Sequence, residues 1–172
     1  MRTMTTVHDV DWVAWEPTIR ATLLFVVRHD EVLLIRKQRG LGAGKINGPG
    51  GKIGPGETAR ECAIRETFEE LHITATGVDE AGVLRFQFVD GTAIHCVVFR
   101  ADGYEGEPTE TDEAIPLWCR VDAVPFDRMW PDDELWFAHL LAGRRFEGRC
   151  LFDGDQLLDA VIETIGVTRA GA

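Results

Sequence analysis

The sequence lacks the cysteine spacings that build zinc ribbons and redox centres. No two of its four cysteines are in a C-x-x-C arrangement, although the chain has 172 residues in which to place them: Cys62, Cys96, Cys119 and Cys150. Each lies among apolar or small residues. We therefore expect buried free thiols, a reducing compartment and a cytoplasmic location.

Long apolar runs and positive charge are also scarce. No stretch is long and apolar enough to span a bilayer, and residues 1–17 carry acids instead of the apolar core of a secretory signal. The chain has 29 acidic and 18 basic residues, a formal net charge of −11. It has no electrostatic footprint for a nucleic acid backbone. We expect a monomer of one domain with no membrane or nucleic acid polymer as partner, and a polyanionic ligand would need a bridging metal.

Two familiar phosphate-binding loops are absent as well. Residues 39–57 contain eight glycines in nineteen positions. The P-loop pattern nevertheless fails, because Gly51-Lys52 is followed by isoleucine, and so is Gly44-Lys45. A G-x-G-x-x-G motif after a parallel-type strand is not met either. The glycines instead indicate turns or close backbone approach.

Residues 58–71 have the pattern of an amphipathic helix. They open on T-A-R-E, a capping-box signature. When the helix is projected at about 100° per residue, one side is apolar and is expected to face the core: Ile64, Phe68 and Leu71. The opposite side carries carboxylates at i, i+3 and i+4, beside small residues that leave space above the helix: Glu66, Glu69 and Glu70, with Ala59, Cys62 and Ala63.

The acidic side of this helix is either a ligand set or a solvated surface. Three carboxylates at this spacing are hard oxygen ligands, which suit Mg²⁺ or Mn²⁺ better than zinc. As a plain surface they would need compensation from Arg60 and Arg65, since like charges at i, i+4 destabilise a helix. The glycine-rich loop directly upstream favours the metal interpretation, because backbone there can approach the same ligand.

Strands are predicted around this helix. Residues 1–17, with Trp12 and Trp15, are interpreted as an extension folded onto the domain. The other expected elements are a hairpin at 18–28 and 31–37, strands at 82–89 and 92–100, an acidic loop at 101–113, an edge strand at 115–121, a helix from Asp132 to about Gly143, and strands at 145–152 and 156–164. The last segment fits a helical period equally well.

The glycine loop and helix together resemble the Nudix box, G-x5-E-x7-R-E-U-x-E-E-x-G-U. The matching residues are Gly51, Glu57, Arg65, Glu66, Glu69 and Glu70, whereas Thr67 replaces an apolar residue and His72 the closing glycine. Residues 37–52 and 126–137 look like animal-type MutT homologues, which are oxidised purine nucleoside triphosphate diphosphatases. The resemblance implies the α+β Nudix fold, a mixed β-sheet sandwiched between helices (α/β/α), in one domain over 21–168, with 1–20 as an N-terminal extension.

The resemblance also implies a set of site residues. The implied metal ligands are the carbonyl of Gly50 and the carboxylates of Glu66, Glu69, Glu70 and Glu113. The implied catalytic residues are Glu57, Arg65, Glu66, Glu69 and Glu70; Arg65 would orient the carboxylates by pairing with Glu57, and Glu69 or Glu70 would be the base. The implied substrate-binding residues are Thr22, Lys37, Asn47, Gly51, Lys52, Phe86, Trp130, Pro131, Asp132 and Asp133.

Base recognition is expected from the segment 130–133. Trp130 would stack on a purine, and the adjacent Asp132 and Asp133 would read its edge, one protonated and one ionised. Three residues stand where the animal-type pocket has aromatics, so base preference is expected to be relaxed or altered: Leu41, Ile46 and Pro49.

The implied activity is hydrolysis of oxidised purine nucleoside triphosphates, of the 8-oxo-dGTP or 2-hydroxy-dATP type, to the monophosphate and pyrophosphate. Mg²⁺ would be the cofactor, with Mn²⁺ as the alternative, and the role would be sanitising the nucleotide pool. A Nudix hydrolase of a dinucleoside polyphosphate or nucleotide sugar is one alternative, and a non-catalytic nucleotide-binding protein is another. The complete set of Nudix-box acids argues against the last, and Asn47 with residues 130–133 favours the first.

Overall fold

The computed structural model describes residues 2–167, and the predicted domain limit at residue 168 lies outside them. In the described part, nine strands and two α-helices follow one another: β1 (Ile19–Arg28), β2 (Glu31–Lys37), β3 (Ile46–Asn47), β4 (Gly50–Lys52), α1 (Ala59–Leu71), β5 (Thr74–Phe88), β6 (Ala93–Glu105), β7 (Ala114–Arg120), α2 (Asp133–Leu141), β8 (Arg144–Asp153) and β9 (Gln156–Val167). Single 3₁₀ turns lie at Val7–Asp9 and Phe126–Arg128.

The strands form one mixed sheet in the order β3-β2-β1-β6-β5-β8-β9, with β4 on β1 and β7 on β2. The β1–β6 and β5–β8 pairs are parallel. Successive residues of a strand point to opposite faces: Phe25 packs in the core that contains Trp136 of α2, whereas Leu24 packs in the core that contains Leu71 of α1. The sheet therefore lies between the two helices, as the sequence predicts.

The strand predictions are confirmed in position and are too short in two places. β5 begins at Thr74, ahead of the strand predicted at 82–89, and β6 continues to Glu105, into the predicted acidic loop. These segments look polar in sequence, yet they pair with each other in register and bury Ala75 and Val78. Residues 156–164 are strand, because they pair antiparallel with β8, and the helical alternative is wrong.

Helix α1 begins as predicted, but its predicted packing face is partly wrong. The Thr58 hydroxyl accepts from the Glu61 N–H at 3.1 Å, and the Glu61 carboxylate accepts from the Thr58 N–H. Phe68, expected in the core, is 52% exposed. The buried face contains Cys62, Ala63, Thr67, Glu70 and Leu71, because the small residues let the helix lie close to the sheet. The space predicted above the small residues is therefore filled by the sheet, and the acidic side is partly turned inward.

Two departures from the Nudix box have a local explanation in α1. The Thr67 hydroxyl donates to the Ala63 carbonyl at 2.7 Å, which satisfies a polar group in a fully buried position. His72 ends the helix in the left-handed conformation, with φ of 60°. Glycine adopts that conformation most easily, so His72 meets the same backbone requirement at some conformational cost.

The N-terminal segment packs onto the sheet, as predicted. Val7 is buried, and its N–H donates to the Asp159 carboxylate at 2.8 Å. The Trp15 indole donates to the Gln87 side chain at 2.8 Å. The segment is therefore fastened to β5 and β9.

The four cysteines are free, as predicted; three are buried, whereas Cys119, also expected to be buried, is half-buried. Among the described helices, none has the length and apolar character needed to cross a membrane.

Candidate active site

Three carboxylates converge where α1 meets the loop before β7. Glu66, Glu70 and Glu113 each offer an oxygen atom, and these atoms lie within 4.8 Å of one another. The first two stand one turn apart on α1. The carbonyl of Glu113 accepts from the Gln38 N–H at 2.9 Å, which ties this loop to the end of β2. The carboxylate of Glu113 accepts from the Arg39 guanidinium at 2.9 Å.

Glu69, the other implied carboxylate ligand, lies outside this group. Its side chain is about half exposed and accepts from Arg65 Nη1 at 3.2 Å. The structure thus brings together three of the four implied carboxylates: Glu66, Glu70 and Glu113.

The Arg65 guanidinium holds the carboxylates in place. Its Nε and Nη2 atoms donate to the two oxygens of Glu57 at 2.6 and 2.9 Å, and Nη1 donates to Glu66 Oε1 at 2.9 Å. The hydrogen bonds from Arg65, followed by that from the Gly54 N–H, lower the pKa of Glu57 to about 2. The ion pair of Arg65 with Glu57 therefore holds Arg65 in position against Glu66. This pairing is the one that the resemblance implies.

Glu70 is a buried acid with an unsatisfied oxygen. Its side chain is 4% exposed, and Oε2 has no hydrogen-bond partner among the described residues. Burial, and then the neighbouring Glu66, raise the pKa of Glu70 to about 8. A cation at this position would satisfy the orphaned oxygen and offset the cost of burying charge.

Two glycines allow the backbone to approach these acids. A Cβ added to Gly51 would lie 2.5 Å from the carboxyl carbon of Glu66, and one added to Gly50 would overlap the Thr22 carbonyl. A larger residue at Gly50 would displace β4 from β1, and one at Gly51 would displace the Glu66 carboxylate. Three hard oxygen donors beside such a backbone fit a small divalent cation.

A cleft of about 830 Å³, its open mouth included, adjoins the carboxylates. Most of the implied substrate-binding residues line the cleft: Thr22, Lys37, Asn47, Gly51, Phe86, Trp130, Asp132 and Asp133. Lys52 and Pro131 do not line the cleft. The hydroxyl of Thr22 lies 3.4 Å from the Cys62 sulfur of α1. Glu70 belongs both to the cleft lining and to the carboxylate group.

Several aromatic and apolar lining residues were missed from sequence: Phe88, Phe152, Ile94 and Cys96. Phe88 lies two residues after Phe86 on the same strand, so the two side chains project from the same face. The prediction that Phe86 lines the cleft therefore implied that Phe88 does so as well. Phe152 pairs with Phe88 only across the β5–β8 ladder, which no local pattern shows. Of the three residues that replace aromatics, Leu41 lines the cleft, whereas Ile46 is buried in the core.

Trp130 stands at one wall of the cleft. Its ring lies edge-on to Phe152, with centroids 5.9 Å apart, and the Lys45 ammonium lies 5.0 Å from its ring centroid. Its backbone N–H donates to Asp133 Oδ2 at 3.0 Å. The indole is therefore held by contacts from β8 and the glycine-rich loop, and its backbone is tied to α2.

Asp132 and Asp133 are both almost fully buried in the cleft wall. Asp132 accepts from the Trp136 indole at 2.9 Å, and its side chain makes no helix-capping hydrogen bond. Burial raises the pKa of both carboxyls, and the charge of Asp132 raises that of Asp133 further. Burial of the pair therefore favours a protonated carboxyl that can donate a hydrogen bond to a ligand.

The fold and these residues define a class of protein: a mixed sheet on which a glycine-rich loop and an acidic helix form one site beside an apolar cleft. The NUDIX domain family matches residues 17–140, and the chain belongs to this family.

The chain is similar to two animal proteins over most of its length. It is 46% identical over 138 residues to the oxidized purine nucleoside triphosphate hydrolase of Danio rerio, covering 80% of this chain and 88% of that protein. It is 41% identical over 139 residues to the protein of the same name from Mus musculus, covering 80% and 89%. The crystal structure of a mutator MutT protein from Bacillus halodurans superposes with a TM-score of 0.76 at 31% identity, covering 84% of this chain and 97% of that one. The predicted family and fold are confirmed.

Proposed function

We propose that this protein hydrolyses oxidised purine nucleoside triphosphates to the monophosphate and pyrophosphate, with Mg²⁺ as cofactor, and so sanitises the nucleotide pool. One observation carries the proposal: Glu70 belongs both to the cleft and to the carboxylate group. A nucleotide whose base lies in the cleft would therefore extend its phosphates toward the carboxylates. The two animal relatives named for this activity support the substrate class.

The proposed metal ligands are Glu66, Glu70 and Glu113, joined by Glu69 and by the carbonyl of Gly50. Mg²⁺, or Mn²⁺ in its place, would polarise phosphoryl oxygens and lower the pKa of a water molecule. Glu69 must first release Arg65, to which it is bonded at 3.2 Å.

The protein side chains supply position and proton transfer. Arg65, anchored by Glu57, fixes the orientation of Glu66 through Nη1. Glu69 or Glu70 accepts the proton of the attacking water. Lys37, which lines the cleft, brings positive charge to the phosphates, while Lys52 and the backbone of Gly51 contact them at the cleft margin.

Base selection is assigned to Asn47, Phe86 and residues 130–133. Trp130 and Phe86 offer aromatic surface to the purine. In the pair Asp132 and Asp133, a protonated carboxyl donates a hydrogen bond and an ionised one accepts. An oxidised purine presents altered donors and acceptors, which such a pair can distinguish.

We further propose that residues 21–168 form the catalytic domain with 1–20 as its extension. The expected state is a cytoplasmic monomer that acts on small nucleotides, with no membrane or nucleic acid polymer as partner. Sedimentation equilibrium tests the oligomeric state, and a dimer mass would contradict it.

A substrate panel tests the reaction. The chain is incubated with 8-oxo-dGTP, 2-hydroxy-dATP, dGTP, a diadenosine polyphosphate or ADP-ribose, and released pyrophosphate and monophosphate are measured. Turnover of the oxidised nucleotides with Mg²⁺, and its loss in EDTA, is expected. Preference for the diadenosine compound or ADP-ribose would instead identify the alternative hydrolase, and no turnover of any compound would exclude catalysis.

A further inference from the structure

Four basic residues form a row across four adjacent strands of the sheet. Arg20 of β1 pairs in register with His95 of β6, His95 with Arg85 of β5, and Arg85 with Arg149 of β8. Residues that pair in register project from the same face of a sheet. This basic row stands out in a chain whose net charge is −11.

The centre of the basic row has uncharged neighbours. The next row of paired residues on the same face, on the side of Thr22, consists of Thr22, Val97 and Val83. The next row on the opposite side contains Ala93 and Gln87. Among residues 2–167, Arg20 and Arg85 form no ion pair. Like charges that face one another across strands are destabilising, so the row carries a cost that an anion would remove.

Acids are confined to the margins of the basic row. Glu147 and Glu163 flank its β8 end, where Arg149 lies 3.9 Å from Glu163. Glu80, the acid that acts on His95, is already bonded to Arg145 at 2.7 Å. The uncompensated charge is therefore at Arg20 and Arg85, with His95 between them.

The row is the floor of a groove with two walls. On one side lies the N-terminal segment, whose Trp15 indole donates to Gln87 and whose Val7 N–H donates to Asp159. On the other side, α1 lies against Thr22 through Cys62. The space over the β5–β8–β9 part holds about 560 Å³, its open mouth included; Arg85 and Arg149 line it together with Glu147 and Glu163, while Arg20 and His95 lie beyond this space along the row.

This groove is separate from the nucleotide cleft. Arg85 and His95 alternate along their strands with Phe86 and Cys96, which line the cleft. Alternating residues project from opposite faces. The groove and the cleft therefore lie back to back on the sheet.

We propose that the groove centred on Arg20, His95 and Arg85 binds a small phosphoanion, with inorganic pyrophosphate as the representative ligand. Guanidinium groups match phosphate oxygens with paired hydrogen bonds. Strands lie about 4.8 Å apart, so the backbones of Arg20 and Arg85 are about 10 Å apart, with the imidazole between them. That spacing suits an anion held from both sides.

Calorimetric titration of the full chain with pyrophosphate in EDTA tests the proposal. One equivalent should bind to the wild type, and Arg85→Gln and Arg20→Gln should each weaken binding at least about tenfold. The matched control Arg36→Gln removes the same charge from an exposed position on β2 and should bind as wild type does. Trp130→Ala should also bind as wild type does, because Trp130 lines the cleft on the other face, and so should Glu70→Gln, because Glu70 belongs to the cleft and the carboxylate group and does not line the groove.

Two further arms separate the possible sources of the anion. Weaker binding of orthophosphate, and none of dGMP, would assign the site to the free diphosphate. A lack of pyrophosphate binding by the wild type, undiminished binding by both arginine variants, or loss of binding in Trp130→Ala would overturn the proposal.

His95 provides a second, independent readout. Burial, and then the charges of Arg20 and Arg85, lower the pKa of its imidazole, while Glu80 opposes them; Arg145, Arg149, Glu147 and Glu163 are the other charged groups of the groove. A bound anion stabilises the imidazolium. Pyrophosphate should therefore raise the pKa of His95 in an NMR titration of the wild type and leave it unchanged in Arg85→Gln; an unchanged pKa in the wild type would contradict binding at this row.

Discussion

At the scale of single residues, the proposed site depends on acids that are held out of water. Glu70, Asp132 and Asp133 are each less than 5% exposed. Such burial is unfavourable for a charged carboxyl unless a ligand or partner compensates it. Glu70 has an orphaned oxygen beside two other carboxylates, which suits a cation. The two aspartates lie in the cleft wall, where a protonated carboxyl suits the edge of a base.

Glu70→Gln is predicted to abolish turnover and to leave the fold intact. The change removes a metal-binding charge, so kcat should fall at least about 100-fold, which corresponds to about 3 kcal/mol of barrier. The neutral amide is less costly to bury, so the thermal midpoint in EDTA should stay the same or rise. Pyrophosphate release and thermal unfolding measure the two effects, with the exposed Glu110→Gln as control. Near wild-type activity would place Glu70 outside the metal site.

Asp132→Asn is predicted to change stability in a pH-dependent way. Burial raises the pKa of Asp132 from 3.8 to about 6. The group therefore costs almost nothing below about pH 4; wild-type stability falls as the pH rises from about 4 to about 6, where only the unfolded state ionises, and the loss is then constant. The variant lacks this loss and can keep the Trp136 hydrogen bond. Relative to wild type, it should gain on the order of 2 kcal/mol between pH 4 and pH 8.

Urea unfolding at the two pH values measures this gain, and the exposed Asp127→Asn should show none. The same Asp132→Asn variant should raise KM or alter base preference with little effect on kcat. An unchanged substrate profile would count against a role in reading the purine.

At the scale of elements, the capping box locates the start of α1, and the Nudix-box spacing orders its acids. The packing of α1 could not be read from the same residues. A helical projection sorts residues by polarity and favours Phe68 as a core residue, but the sheet accepts the smaller Cys62 and Ala63. The extra length of β5 and the position of Phe152 depend on long-range pairing, which local patterns do not encode. The predicted site residues came together largely because the family motif fixes their spacing.

Thr58→Ala tests the start of α1. The variant loses the hydroxyl that accepts from the Glu61 N–H, so stability should fall by about 1 kcal/mol. The urea midpoint should decrease at an unchanged slope. Thr58→Ser retains the hydroxyl and should restore most of the loss; equal destabilisation by both variants would mean that the cap is not the cause.

At the scale of the whole molecule, one sheet separates two surfaces with different side chains. One face carries the cleft, with its aromatic residues and buried aspartates. The other face carries α1, the basic row and the N-terminal segment. That segment is part of the packed structure, because Val7 is 2% exposed and bonded to Asp159.

Val7→Ala is predicted to lower the free energy of unfolding by about 2 kcal/mol, because it leaves a cavity under the N-terminal segment. Val13→Ala is the matched control: Val13 is fully exposed, so its stability should match the wild type. Chemical unfolding of both variants makes the comparison. Equal stabilities would show that the segment adds nothing to the domain.

The central claim is that this Nudix protein selects an oxidised purine nucleoside triphosphate. The most direct measurement is the ratio of kcat/KM for 8-oxo-dGTP to that for dGTP, followed by pyrophosphate release with Mg²⁺. We expect a preference for the oxidised nucleotide on the order of tenfold or more, since the buried aspartate pair can distinguish the altered edge. Equal kcat/KM values for the two nucleotides would contradict it.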